Sequence, residues 1–166
     1  MARRVFFSFH YKPDNWRASQ VRKMGAIEGD APVSDNDWET ITKGGDAKIQ
    51  KWIDDQLSGK SCAIVLIGTN TAGRKWINYE IIQAWNTKKG VLGIYIHNLQ
   101  NSEEKQSTKG SNPFDGITYG QQQKALTSVV KSYDPPYSKS TDVYDHIKQN
   151  IAAWVEAAIT ARDAIG

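Results

Sequence analysis

The residue whose setting most invites a chemical question is Glu80, in the stretch RKWINYEIIQAW, residues 74–85. At helical spacing Ile77, Ile81, Ala84 and Trp85 share one face, and Glu80 lies beside that stripe. Its neighbours three and four positions away are Trp76, Ile77, Gln83 and Ala84, so the common helical ion pair with Lys or Arg is not on offer. A lone carboxylate narrows the chemistry. Ordinary glycoside hydrolysis needs two carboxyl groups, because the leaving alkoxide must be protonated while the sugar cation is stabilised. One carboxylate is enough only where the leaving group departs without needing a proton.

Other constellations are poorer. His10, His97 and His146 are far apart, with no HxxxH or HExxH spacing, so a metal centre is not expected. Cys62 lies within the apolar run SCAIVLI, where a small buried thiol is the ordinary reading, and no G-x-S-x-G elbow is present. The first apolar run is followed by FSFHYKPDNW, without the glycines of a dinucleotide fingerprint, and a P-loop is also missing. A phosphate receiver would need acidic residues where this chain has Ser8–Phe9–His10 and Gly68–Thr69. The loop GTNTAG offers hydroxyl and backbone donors to a phosphate or ribose, as many plain turns do.

The elements that must position these residues alternate. Three short runs, 5–9 (VFFSF), 63–67 (AIVLI) and 91–96 (VLGIYI), are β-branched or aromatic without clean alternation, as strands buried on both faces of a parallel sheet are. Between them the spacing predicts a helix capped by Asp14 and running to about Met24 before Gly25, a second over 46–57 with Ile49, Trp52, Ile53 and Leu57 inward, and a third carrying Glu80. Val143, Ile147, Ile151, Trp154, Ala158 and Ile159 mark a long final helix. A short strand is expected near Val33 and a last one within 126–133, while 98–120 reads as a polar, turn-rich excursion of the length that is usually functional or mobile. The pattern is that of a three-layer α/β fold, a central parallel sheet flanked by helices, in one domain over 1–166. In such sheets ligands bind beyond the carboxyl ends of the strands. That edge collects Ser8, Phe9, His10 and Tyr11, then 68–73, then His97 onward, and Glu80 leans toward it from an early helical turn.

Composition sets the outer limits. The net charge of +3 comes from scattered basic residues rather than a run, which argues against a dedicated nucleic-acid binder and allows a mild attraction for a phosphate-bearing small molecule. A lone cysteine fits a reducing compartment. The N-terminal apolar run is broken by Ser8 and His10 before it could be a signal segment, and no later stretch approaches a membrane span, so a cytoplasmic protein is expected. Six tryptophans supply packing or stacking surfaces. The nicotinamide of NAD is attached as a cation and departs neutral, so one carboxylate beside the ribose, with stacking surfaces for the bases, would suffice for its cleavage.

Three stretches in order, RVFFSFHY, AIVLIGTNTAGRKW and WINYEI, resemble the TIR-like (Toll/interleukin-1 receptor-like) signalling proteins of the bacterial Thoeris antiphage defence system. The resemblance covers roughly the first two thirds of the chain, and Trp76 to Glu80 matches the W-x-x-x-E arrangement of catalytic TIR domains. It implies a flavodoxin-like TIR fold that takes NAD as substrate rather than cofactor and cleaves its nicotinamide bond. The ADP-ribosyl part is then cyclised to a cyclic ADP-ribose isomer, a diffusible signal for a downstream effector. On this reading Glu80 is the catalytic carboxylate. Phe9, His10, Trp38 and Trp76 contribute to substrate binding, and Ser8 and Thr69 donate hydrogen bonds at the strand ends. Such sites are often completed across an interface between copies, so self-association accompanies the resemblance. RKWINYE departs from the serine and W-C pair of many TIR domains, and motifs after Gly120 do not align. The alternatives are a non-catalytic TIR-like interaction module and, third, transfer between nucleosides. Each residue also has an ordinary reading: rim packing for Trp76, strand-end residues for Ser8 to His10, and compensation of the helix dipole for Glu80.

Overall fold

The apolar runs become neighbouring strands. In the computed structural model, which describes residues 3–29 and 41–166, the elements in chain order are β1 (Val5–Ser8), α1 (Tyr11–Arg22), α2 (Asp46–Leu57), β2 (Cys62–Ile67), α3 (Lys75–Asn86), β3 (Gly90–Tyr95), β4 (Thr118–Tyr119), β5 (Lys124–Ala125), β6 (Ser132–Tyr133) and α4 (Ser140–Asp163). The main sheet has the order β1-β2-β3-β6 and is parallel throughout, while β4 and β5 form a small antiparallel ribbon. On the far side of β1, Glu28 makes a parallel bridge to Arg4, with Glu28 N–H donating to Arg3 O at 2.9 Å and Val5 N–H to Glu28 O at 2.8 Å. The chain therefore leaves β1 toward one side and returns as β2 on the other. That reversal of strand order is a topological switch point, the place where an open α/β sheet forms a ligand crevice.

The missing alternation within the strands has a simple cause: both faces are covered. Val5, Phe7, Ile64, Leu66, Leu92 and Ile94 face a core shared with Ala18 and Val21 of α1 and with Val143, Ile147, Ile151 and Val155 of α4. Phe6, Ala63, Val65, Ile67, Val91 and Tyr95 face Ile49, Ile53 and Leu57 of α2 and Ile77, Ile81, Ala84 and Trp85 of α3. The result is the expected helix–sheet–helix sandwich.

Boundaries differ from expectation where side chains found stronger partners. The spacing predicted Asp14 as the first cap, but His10 is the N-cap of α1 and Asp14 sits a turn inside it, 2% exposed and paired with Arg17. Gly25, at φ 79°, supplies the left-handed stop beyond α1. Within 126–133 only Ser132–Tyr133 is a strand, because Leu126–Ser128 turns as a 3-10 helix that buries Leu126. Residues 98–120 are no loose excursion: Leu99 and Phe114 are fully buried and fix the segment to the two cores. The strand expected near Val33 lies outside the described residues.

Candidate active site

A cleft of about 890 Å³ opens at the carboxyl ends of β1 and β2, a volume in the range that small-molecule sites occupy. One wall is Phe9, His10, Tyr11 and Lys12, directly after β1; the other is the 69–77 segment after β2, with Glu80 between them and Ser111 at the rim. Glu80 reaches the cleft because α3 is held by its apolar stripe, with Ile81 and Ala84 fully buried and Ile77 and Trp85 nearly so. Glu80 is itself buried, at 6% exposure, and its Oε2 accepts a hydrogen bond from the Ser8 hydroxyl. Such a bond fixes the rotamer of the carboxylate. Ser8 is 1% exposed and does not line the cleft, so its hydroxyl serves the carboxylate from behind rather than a ligand in front.

Phe9, His10, Thr69 and Trp76 all come together on the cleft walls. The ring of Phe9 stacks on Tyr11 at 6.0 Å, with the Arg22 guanidinium 5.4 Å from its centre. Trp76 meets Tyr79 edge to face at 5.8 Å, and Lys75 Nζ lies 4.8 Å from the indole centre. Burial, reinforced by the nearby Arg74 cation, holds the His10 imidazole below its ordinary pKa of 6.5, so the ring is neutral at pH 7. Its Nδ1 is buried without a hydrogen-bond partner among the described residues. Thr69 Oγ1 donates to Thr108 O at 2.5 Å, so this hydroxyl ties the wall to a neighbouring loop. Trp38, the remaining candidate, falls outside the described residues.

Charge at the rim is one-sided. Lys12, Arg74 and Lys75 border the cleft, and among the described residues only Lys75 has a carboxylate partner, Asp46 at 2.5 Å. Arg74 is the N-cap of α3, whose first turn has no side-chain cap and no acidic residue. Cations there oppose the helix dipole by about 0.3–1 kcal/mol each, an arrangement that an anion at the helix end would relieve.

Sequence reasoning missed the pair beneath this site. Asp14, Arg17, Ala18 and Val21 fall at i, i+3, i+4 and i+7, so two charges stand on the buried stripe of α1. Arg17 Nη1 donates to Asp14 Oδ1 at 3.0 Å, and both side chains are at most 4% exposed. Burial pushes the Asp14 carboxyl above its ordinary range, with Arg17 opposing that shift. The signal was present in the spacing, but a carboxylate near a helix start is ordinarily a cap.

A parallel α/β domain with a buried carboxylate at the switch point and aromatic and cationic walls presents a crevice-type site. The family model described as Thoeris protein ThsB, TIR-like domain, matches residues 6–101, and the chain belongs to that family. The match begins within β1 and runs through β2, α3 and β3, and so takes in both cleft walls except Ser111. A relative from Bacillus cereus (strain MSX-D12), "Putative cyclic ADP-D-ribose synthase ThsB1", is 35% identical over 124 residues, which are 72% of this chain and 65% of that protein. The matched part is thus just under two thirds of the relative's length. A solved flavodoxin, the WrbA-like protein from Agrobacterium tumefaciens, aligns over 98% of this chain and 99% of its own at 9% identity and a TM-score of 0.36. That likeness is too weak to bear on the fold, which rests on the sheet order given above. Among the described residues no helix is long and apolar enough to cross a membrane.

Proposed function

We propose that the chain binds NAD in this cleft, cleaves its nicotinamide–ribose bond and closes the remaining ADP-ribosyl group on itself, yielding a cyclic ADP-ribose isomer as a signal in antiphage defence. The observation that carries the reading is the buried Glu80 carboxylate, hydrogen-bonded by Ser8 and facing the switch-point cleft between aromatic and cationic walls. The name of the Bacillus cereus relative points to the same product. The bond between ribose C1 and the pyridinium nitrogen breaks, its electron pair neutralises the nicotinamide, and a cationic ribosyl centre remains. Glu80 stabilises that cation, and no acid is spent on the leaving group. A nucleophilic group of the same molecule then bonds to C1 and gives up its proton to solvent, which closes the ring. Trp76 and Phe9 offer ring surfaces to the bases. Lys12, Arg74 and the uncapped start of α3 face the pyrophosphate, and the neutral His10 is an uncharged neighbour of the ribose. The partner in this reading is a downstream effector reached by the diffusible product.

Incubation of the purified protein with NAD, followed by mass spectrometry, tests the reading. Nicotinamide and a cyclic ADP-ribose isomer are expected, with Glu80→Gln lowering turnover by about 100-fold or more. Linear ADP-ribose alone would retain bond cleavage and refute cyclisation. Folded wild-type protein that releases no nicotinamide, including with extract from phage-infected cells as trigger, would favour the non-catalytic interaction module instead.

A further inference from the structure

The Arg17 guanidinium does more than pair with Asp14. Its Nε donates to Leu99 O at 2.7 Å and its Nη2 to Lys105 O at 2.8 Å, so a side chain of α1 grips both ends of the turn that follows β3. The gripped segment runs straight onto the cleft: Ser107 N–H donates to His97 O at 2.8 Å, Thr69 Oγ1 donates to Thr108 O, and Ser111 forms the rim. Gly110 lies so close to the carbonyls of Gly68 and Thr69 that no Cβ could fit there. On the other side of the pair the Asp14 carboxylate presses on Gly68, at the start of the second cleft wall, where a Cβ would likewise collide. Asp14 Oδ2 is buried with no hydrogen-bond partner among the described residues.

An ion pair this buried, with an unsatisfied carboxylate oxygen, gives little or no stability over an apolar pair of similar size. What it fixes is geometry. We infer that Asp14 and Arg17 are positioning residues for the cleft: the pair ties α1, which continues from the first wall, to the 98–110 segment and to the 68–74 loop that leads into the second wall, and so sets the separation of the walls that receive the substrate. Neither side chain of the pair lines the cleft, and its effect reaches the ligand through the wall segments it holds. The substrate side of this inference rests on the NAD reading; the locking itself does not.

The test compares the wild type with Arg17→Lys and with the double variant Asp14→Val/Arg17→Met, which stays close to the buried volume and removes both charges. The double variant is expected to fold, because no buried charge is left unpaired. Its amides over 98–110 should exchange hydrogen about tenfold faster or more, because the grip on two carbonyls is gone. Nicotinamide release should show KM raised about tenfold with kcat within about threefold, the split expected when binding walls loosen while Glu80 stays in place. Arg17→Lys keeps the charge but loses the fork and should recover part of both effects. A folded double variant with unchanged exchange over 98–110 and unchanged KM overturns the inference. If the double variant does not fold, unchanged exchange and KM in Arg17→Lys overturn it equally. A wild type that releases no nicotinamide refutes the NAD reading alone, and hydrogen exchange then decides the locking by itself.

Discussion

Ser8 and Glu80 are 72 positions apart in the chain, yet their side chains share one hydrogen bond in the interior. A buried carboxylate that loses such a donor is left with part of its desolvation uncompensated. Ser8→Ala is therefore expected to cost about 1–3 kcal/mol in chemical denaturation. With the carboxylate less firmly held, nicotinamide release should slow about tenfold in kcat while KM stays near the wild-type value, because Ser8 is behind the site and not in it. Cys62 gives a second check at this scale. It is fully buried in β2, and burial, with a smaller contribution from Glu156, pushes its thiol up to about 12. The native protein should therefore resist iodoacetamide at neutral pH and become alkylated only on unfolding. The spacing of residues identified both groups, but the sharing of Glu80 by Ser8 was beyond it, since nothing local relates the two.

At the scale of elements, α3 is the part that aims the carboxylate. Ile81 is adjacent to Glu80 and fully buried between helix and sheet. Ile81→Ala is expected to destabilise the protein by about 2–5 kcal/mol through the cavity it leaves. Activity should fall more than the folded fraction does, because the helix that carries Glu80 can shift into that space; parallel denaturation and turnover measurements check this. The stripes of α2, α3 and α4 were legible because their apolar residues recur on one face. The stripe of α1 was less so, with Asp14 and Arg17 occupying two of its inward positions. A pattern built on hydrophobicity scores a buried ion pair as surface, and so reads Asp14 as a cap. The same blindness made 98–120 look loose: its anchors are single residues, Leu99 and Phe114, and carbonyls taken by Arg17.

For the whole molecule, the edge of the sheet imposes a pH dependence. His10 and His97 are both held below their ordinary pKa of 6.5, mainly by burial, with Arg74 adding for His10. At His97 the Asp134 carboxylate opposes the shift, whereas Lys109 and Arg17 reinforce it. A group that binds its proton less readily when folded stabilises the fold above its unfolded pKa, and that contribution is lost as pH falls from there through the folded value. The thermal midpoint should thus decline as pH is lowered from about 7.5 to about 5.5, and His97→Gln should flatten the decline. Asp14 has the opposite sign: its raised carboxyl makes the folded state the better proton binder, so its own contribution grows in acid.

By itself the sequence determined the layers, the order of strands and helices, and the edge where a ligand would sit, because runs buried on both faces and one-faced helices are written in neighbouring residues. It also singled out Glu80, whose helical neighbours offer it no cation. Tertiary structure alone decided which side chains meet: Ser8 turned from the cleft to the carboxylate, Thr69 tied to Thr108, and Arg17 reached across 82 and 88 positions to hold carbonyls of a loop that reads as loose. The physical reason is range. Periodicity reports contacts within a turn or a strand, whereas a buried polar group takes whatever partner the packed fold brings within about 3 Å, however far along the chain it lies.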